Sequence, residues 1–207
     1  MILKTDYDAL VLVGLWNKSI FNPDWVSKFL LPKEKELNIE FPINVDGSSR
    51  VSSDKIRIFV IGNKLTFVPL NTSDETFEII QGLAVKTVDY LPHTPVTAFG
   101  VNFLFETTVI DEALEQLLKV NDAESLLEYG ATLKDSQHRH TFDLDRKTVN
   151  LTITKQNDSK TTFDFNWHFN ISDITQFKEQ IHLNPILNLR ELAINIMKEV
   201  YNLEIKK

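Results

Sequence analysis

Two histidines, His138 and His140, stand one residue apart in a segment whose apolar and polar residues alternate. Side chains two residues apart on a strand point to the same face, so both imidazoles can approach one metal ion. Such a site needs a third ligand, which His168 or Asp164 on a neighbouring strand could supply. The alternative is that the pair borders the core, because Phe142 continues the same face. We adopt the second interpretation and expect neither a metal ion nor a cofactor.

A second polar set lies in the segment 161–169, TTFDFNWHF, in which aromatic and polar residues alternate. The period of two places all the aromatic side chains on one face of a strand and the polar ones on the other. The polar residues are Asp164, Asn166 and His168, and Asn170, directly after the segment, continues the same face. They either line a groove that hydrogen-bonds a ligand or partner, or form the solvated face of an antiparallel sheet. Asp164, Asn166 and His168 are therefore candidate binding residues.

The segment 96–107, VTAFGVNFLFET, predicts the central strand of the sheet, because Phe99, Val101, Phe103 and Phe105 stand at every second position. Ala98 and Gly100 leave its other face nearly bare, which favours a packed helix or backbone there. Asn102 is a polar side chain on that face, and leaving it without partners would cost about 1–3 kcal/mol. Asn102 either bonds a loop carbonyl and sets the strand register, or lies in the floor of a pocket roofed by helices. It is the fourth candidate binding residue.

The sequence offers little support for catalysis. Asp143 and Asp145 are spaced like an acid–base pair, but they flank a turn, where Asp is a common residue. No Gly-x-Ser-x-Gly elbow and no glycine-rich phosphate loop occur, and the chain has no cysteine. We therefore expect no catalytic residue, and this favours a protein that is not an enzyme without deciding the question.

Composition narrows the classes of partner. The chain has 207 residues and a formal net charge of −7, which disfavours a nucleic-acid backbone as partner because phosphate binding needs clustered Lys and Arg. Asp6 and Asp8 precede a short apolar run near the N-terminus, which resembles neither a signal peptide nor a membrane span. We expect a cytoplasmic protein without a membrane partner.

Turn and capping signals place the elements of the first half. The dipeptide Asn22-Pro23 predicts a helix start, and Gly62-Asn63 predicts a two-residue hairpin. Pro42 indicates that the strand predicted over 39–45 lies at an edge of the sheet, because proline cannot donate to a ladder. A capping box of Thr72 and Glu75 predicts a helix that ends near Tyr90. This order resembles the split β-α-β pattern of ferredoxin-like domains.

The second half predicts a three-stranded antiparallel meander over 138–144, 148–154 and 161–169, followed by a long C-terminal helix that ends near Tyr201. A meander covered by such a helix is similar in outline to the helix-grip arrangement. The expected fold class is thus α+β. We expect an N-terminal α+β sub-domain, 1–120, packed against a second sub-domain, 121–207.

Two functions fit these features. The first is a non-enzymatic interaction or assembly protein that binds a protein partner, or a second copy, by strand addition or helix packing at an edge such as the Pro42 strand. The second is a small-molecule-binding protein with an apolar cavity between the sheet and the C-terminal helix. The aromatic face of 161–169 would line that cavity, with Asn102 or His168 as its polar group.

Overall fold

The computed structural model describes residues 1–42, 48–109, 112–156 and 160–205. Within them, ten strands form one sheet, and every ladder between neighbouring strands is antiparallel. The strands are β1 Ile2–Leu3, β2 Leu10–Gly14, β3 Asn38–Glu40, β4 Arg50–Ser52, β5 Ile56–Ile61, β6 Lys64–Pro69, β7 Val96–Thr107, β8 Asp135–Leu144, β9 Lys147–Gln156 and β10 Thr161–Asn170. The helices are α1 Pro23–Trp25, which continues as a π-helical segment Val26–Leu30, α2 Asp74–Tyr90, α3 Glu112–Leu117, α4 Ala123–Glu128, α5 Ile174–Leu183 and α6 Ile186–Tyr201.

The strand order across the sheet is β3, β4, β5, β6, β2, β7, β10, β9, β8. β10 pairs along one edge of β7, and β1 and β2 share the other edge, where Leu10 lies opposite Val101. Because β7 and β10 pair directly, one sheet runs through both stretches expected as sub-domains, 1–120 and 121–207.

The α+β class predicted from the sequence is confirmed, but the ferredoxin-like split is not. A β-α-β unit places parallel strands on either side of its crossover. Here β2 precedes α1 and α2, β7 follows them, and the two strands pair antiparallel. The last three strands, β8, β9 and β10, form the antiparallel meander that the sequence predicts.

The core is built on the aromatic residues of β7 and β10. Phe103 lies directly opposite Phe165, and neither side chain is exposed to solvent. Farther along the same ladder, Phe99 stacks on Phe169 with ring centroids 4.4 Å apart, and Phe177 of α5 meets Phe99 edge-on at 5.0 Å. The two aromatic strands therefore supply the dry interior, as their alternation predicts.

Helices α2, α5 and α6 pack on this aromatic face, which we call the helix face. Phe77 of α2 lies 6.0 Å from Phe103, and Tyr201 of α6 lies 5.3 Å from Phe163. The C-terminal helix thus reaches from the central strand to the meander.

Most local signals identify the right elements, with one correction at α2. Asn22 accepts a hydrogen bond from the Trp25 N–H at 2.9 Å, and Gly62 adopts φ +58° in the predicted hairpin. The capping box of Thr72 and Glu75 is wrong, because α2 begins one residue later with Ser73 as its N-cap. The Ser73 hydroxyl accepts from the N–H of Thr76 at 3.3 Å, which satisfies one of the free donors of the first turn.

In the part of the chain that the structure describes, the second face of β7 does not carry the packed helix that Ala98 and Gly100 suggest. Gly100 lies opposite His168 of β10, and a Cβ built on Gly100 would approach the side-chain Nδ2 of Asn166 to 2.9 Å. The space left by the glycine is therefore taken by an amide from the neighbouring strand. We call this side of the sheet, which carries Asn102, Asn166 and His168, the polar face.

Candidate functional site

The four candidate binding residues all lie on the polar face of two adjacent strands. Asn102 is on β7, directly opposite Asn166 on β10. Asp164 and His168 flank Asn166 on its own strand, two residues away on either side. The alternation of each strand predicts this placement, and the ladder between β7 and β10 brings the four residues together.

A chain of side-chain hydrogen bonds runs across the polar face at the level of Asn102. The Thr141 hydroxyl donates to Asn150 Oδ1 at 2.9 Å, and Asn150 Nδ2 donates to Asn166 Oδ1 at 3.1 Å. Asn166 Nδ2 donates to Asn102 Oδ1 at 2.7 Å, and Asn102 Nδ2 donates to the backbone carbonyl of Asp8. Every bond points the same way across four strands, so each amide polarises the next.

This amide chain accounts for Asn102. Its side chain bonds a loop carbonyl, between β1 and β2, as one sequence interpretation requires. The other interpretation, a pocket floor roofed by helices, is wrong because Asn102 points to the face opposite the helices. Sequence reasoning missed Asn150 and Thr141, although the two-residue turn at Asp145-Arg146 would have placed them opposite each other.

Asp164 and His168 lie beside the chain rather than in it. His168 Nε2 lies 3.0 Å from Asn170 Oδ1, which orients the ring along its own strand. Asp164 is solvent-exposed, yet the atoms packed around its carboxyl partly remove its hydration and raise its pKa above the ordinary value. Both side chains remain able to bond an incoming polar group.

A carboxylate with two lysines marks one end of the polar face. Glu106 Oε2 lies 2.8 Å from Lys160 Nζ and 3.2 Å from Lys4 Nζ. The hydrogen bond from Lys160, with a further one from Lys4, lowers the pKa of Glu106 below its ordinary value against the opposing effect of burial. This group links β1, β7 and the start of β10.

The two histidines of β8 lie on the helix face, so the proposed third metal ligand is on the wrong side of the sheet. His138 is in register with Ile153 of β9, whose partner on β10 is Phe163. His168 and Asp164 point to the opposite face, because they alternate with the aromatic residues of β10. Within the described ranges, no three His, Asp or Glu residues are grouped so as to hold a metal ion.

Among the described residues, the aromatic face of β10 offers no open surface of the kind that the small-molecule hypothesis places there. Phe163, Phe165 and Trp167 are completely buried against their neighbours and present no surface to a ligand. Asn102 and His168 cannot serve as polar groups for such a cavity, since they lie on the other face of the sheet.

An apolar groove lies instead at the rim of the sheet, between β8 and the C-terminal half of α6. Its volume is about 680 Å³. The apolar side chains that line it are Phe142, Leu144, Ile196, Val200 and Tyr201. Val200 is 66 % exposed. We call this feature the rim groove.

The rim groove adjoins a long unpaired edge. β8 has ten residues, and no strand among the described residues pairs with its outer side. Hydrogen-bonded and non-hydrogen-bonded pairs alternate along an antiparallel ladder, so every second residue of β8 directs its N–H and C=O away from β9. The opposite edge, β3, has only three residues. The edge strand predicted around Pro42 is found only as β3, which ends at Glu40, and residues 43–45 of that prediction lie outside the described residues. β8 is the longer edge.

Comparison of the chain with protein-family models, with curated proteins and with solved structures found no match. Among the described residues, no helix combines the length and the hydropathy that crossing a bilayer requires. The polar face and the rim groove are the two surfaces of the described residues that bear on function.

Proposed function

We propose that this protein is a non-enzymatic interaction and assembly protein that binds another polypeptide by strand addition at β8. The observation that supports the proposal is the ten-residue outer edge of β8 beside the rim groove. An exposed edge of this length is a template for another strand, and native proteins usually blunt such edges. β8 contains no proline that would prevent pairing.

The rim groove adds side-chain specificity to the backbone contact. A strand added to β8 would direct every second side chain to the helix face, beside Phe142 of β8 and Val200 of α6. The partner segment we propose is therefore extended, with apolar residues at alternate positions.

The proposal includes the class of partner and the cellular compartment that the sequence predicts. The net charge of −7 favours a protein rather than a nucleic acid as the partner. We also propose that the assembly takes place in the cytoplasm.

A pair of matched variants tests the proposal. Val200→Glu places a charge in the rim groove, and Val109→Glu places one at a site of similar exposure, 69 %, beyond the end of β7. We expect the purified protein to self-associate in sedimentation velocity, or to capture a partner that mass spectrometry identifies. The association should be lost with Val200→Glu and kept with Val109→Glu. Equal behaviour of the two variants, or no association at all, would contradict the proposal.

The rim groove also favours a second candidate function, binding of a small apolar molecule. Its volume lies in the range of about 300–1,000 Å³ that is usual for ligand sites, and His140 on its wall could hydrogen-bond a ligand. Titration with the apolar fluorophore anilinonaphthalene sulfonate tests this function. Saturable binding that Val200→Glu abolishes and Val109→Glu preserves is the expected result; non-saturable binding would argue against it.

A further inference from the structure

We infer that the strand added to β8 is the β8 of a second copy of this chain, related by a two-fold axis at Thr141. This inference rests on the proposed function and names its partner. The two sheets would then join into one antiparallel sheet across both protomers, with the same surface used on each side.

Backbone geometry permits this axis. β8 and β9 are joined by the two-residue turn Asp145-Arg146, both residues with positive φ, so Leu144 and Lys147 form the hydrogen-bonded pair next to the turn. The alternation that follows leaves the N–H and C=O of residues 139, 141 and 143 directed outward. An axis at Thr141 joins these groups to the same groups of the second copy.

Charge complementarity selects this register. About an axis at Thr141, Arg139 lies opposite the partner's Asp143, and symmetry repeats the pair. Arg139 is exposed and forms no ion pair with any described residue. Asp143 accepts a hydrogen bond from the Thr148 hydroxyl at 3.0 Å but has no described cation beside it. Opposite charges directly across a ladder stabilise it, and like charges destabilise it.

In the same register, the helix faces of the two copies also bring compatible side chains together. His140 would lie opposite the partner's Phe142, under the rim groove of each copy. The exposed side chain of Val200 would be covered as the two edges meet. An axis at Gln137 would pair Arg139 with Asp135, but over only five residues of β8 and away from the groove.

Charge reversal tests the axis with the full chain. In sedimentation velocity we expect the wild type to form a dimer, and Arg139→Asp and Asp143→Arg each to raise its Kd about tenfold or more through two repulsive pairs. An equimolar mixture of the two single variants should restore the dimer, because each then meets the opposite charge. Asp135→Arg should leave the dimer unchanged.

Cross-linking provides a second readout, because the chain has no cysteine of its own. Thr141→Cys should be linked into a dimer by a short bis-maleimide, and Gln137→Cys should not. If neither charge reversal changes the Kd of the dimer, the register about Thr141 is wrong, although strand addition at β8 is not contradicted. If the wild type stays monomeric, the partner is not a second copy of this chain. Capture of a different protein that depends on Val200 would still support the proposed function.

Discussion

Asn166 of β10 donates from its side-chain Nδ2 to the Oδ1 of Asn102 on β7, at 2.7 Å, across the middle of the sheet. The two residues lie directly opposite each other, so this bond depends on the register of the ladder. A slip of one residue would turn Asn166 to the helix face, among the buried phenylalanines. The bond therefore stabilises one register against its neighbours.

We expect Asn102→Leu to lower the free energy of unfolding by about 1–3 kcal/mol, because the Asp8 carbonyl and Asn166 Nδ2 each lose a partner. A double-mutant cycle of Asn102→Ala and Asn166→Ala, measured by urea unfolding, should give a coupling energy of about 0.5–3 kcal/mol. The pair Asn102→Ala and Asn170→Ala, which share no contact, serves as the control and should be additive. Additivity in both pairs would show that the amide chain does not stabilise the fold.

Gly100→Ala should destabilise the protein because the new Cβ would lie 2.9 Å from Asn166 Nδ2 and displace the amide. Gly82→Ala is the matched control. It lies within α2, and no atom outside its own helix neighbourhood lies within 4 Å of an added Cβ, so the change should stabilise the protein by about 0.5–1 kcal/mol. In an Asn166→Ala background the cost of Gly100→Ala should shrink. If that cost is unchanged, the glycine is required for a reason other than the amide.

The lowered pKa of Glu106 gives stability a defined pH dependence. Because its pKa is lower folded than unfolded, Glu106 contributes stability above the ordinary Glu value of about 4.3, and this contribution is lost as pH falls through the folded pKa. We expect Glu106→Gln to lower Tm by a few degrees at pH 7. The difference in Tm should shrink as the pH falls below about 4.3 and vanish below the lowered folded pKa of Glu106. A difference that persists at low pH would mean that Glu106 acts through packing instead.

Phe165→Ala should cost about 3–5 kcal/mol, since the ring is wholly buried opposite Phe103 and beside Phe105, 5.9 Å away. Tyr129→Ala, at a ring that is 91 % exposed, should change stability by less than about 0.5 kcal/mol. Thermal unfolding of both variants measures the contrast. Similar small losses would place the core elsewhere than between β7 and β10.

Alternation along single strands was enough to predict the faces of β7 and β10. Phe103 and Phe165 are buried as predicted, because a period of two depends only on neighbouring residues in the chain. Turn chemistry was equally local, and Gly62-Asn63 identified its hairpin. The same reasoning placed Asp164, Asn166 and His168 on one face, though what they bind stays a prediction.

The relation between strands was decided by the tertiary structure. The sequence left open a metal site in which His168 joins His138, yet the order and register of β8, β9 and β10 put them on opposite faces. The bond between Asn102 and Asn166, and the position of β8 as the long edge, depend likewise on which strands pair. Pairing between distant segments depends on how whole apolar faces pack together under the helices. The residue pattern within one strand contains no information about that packing.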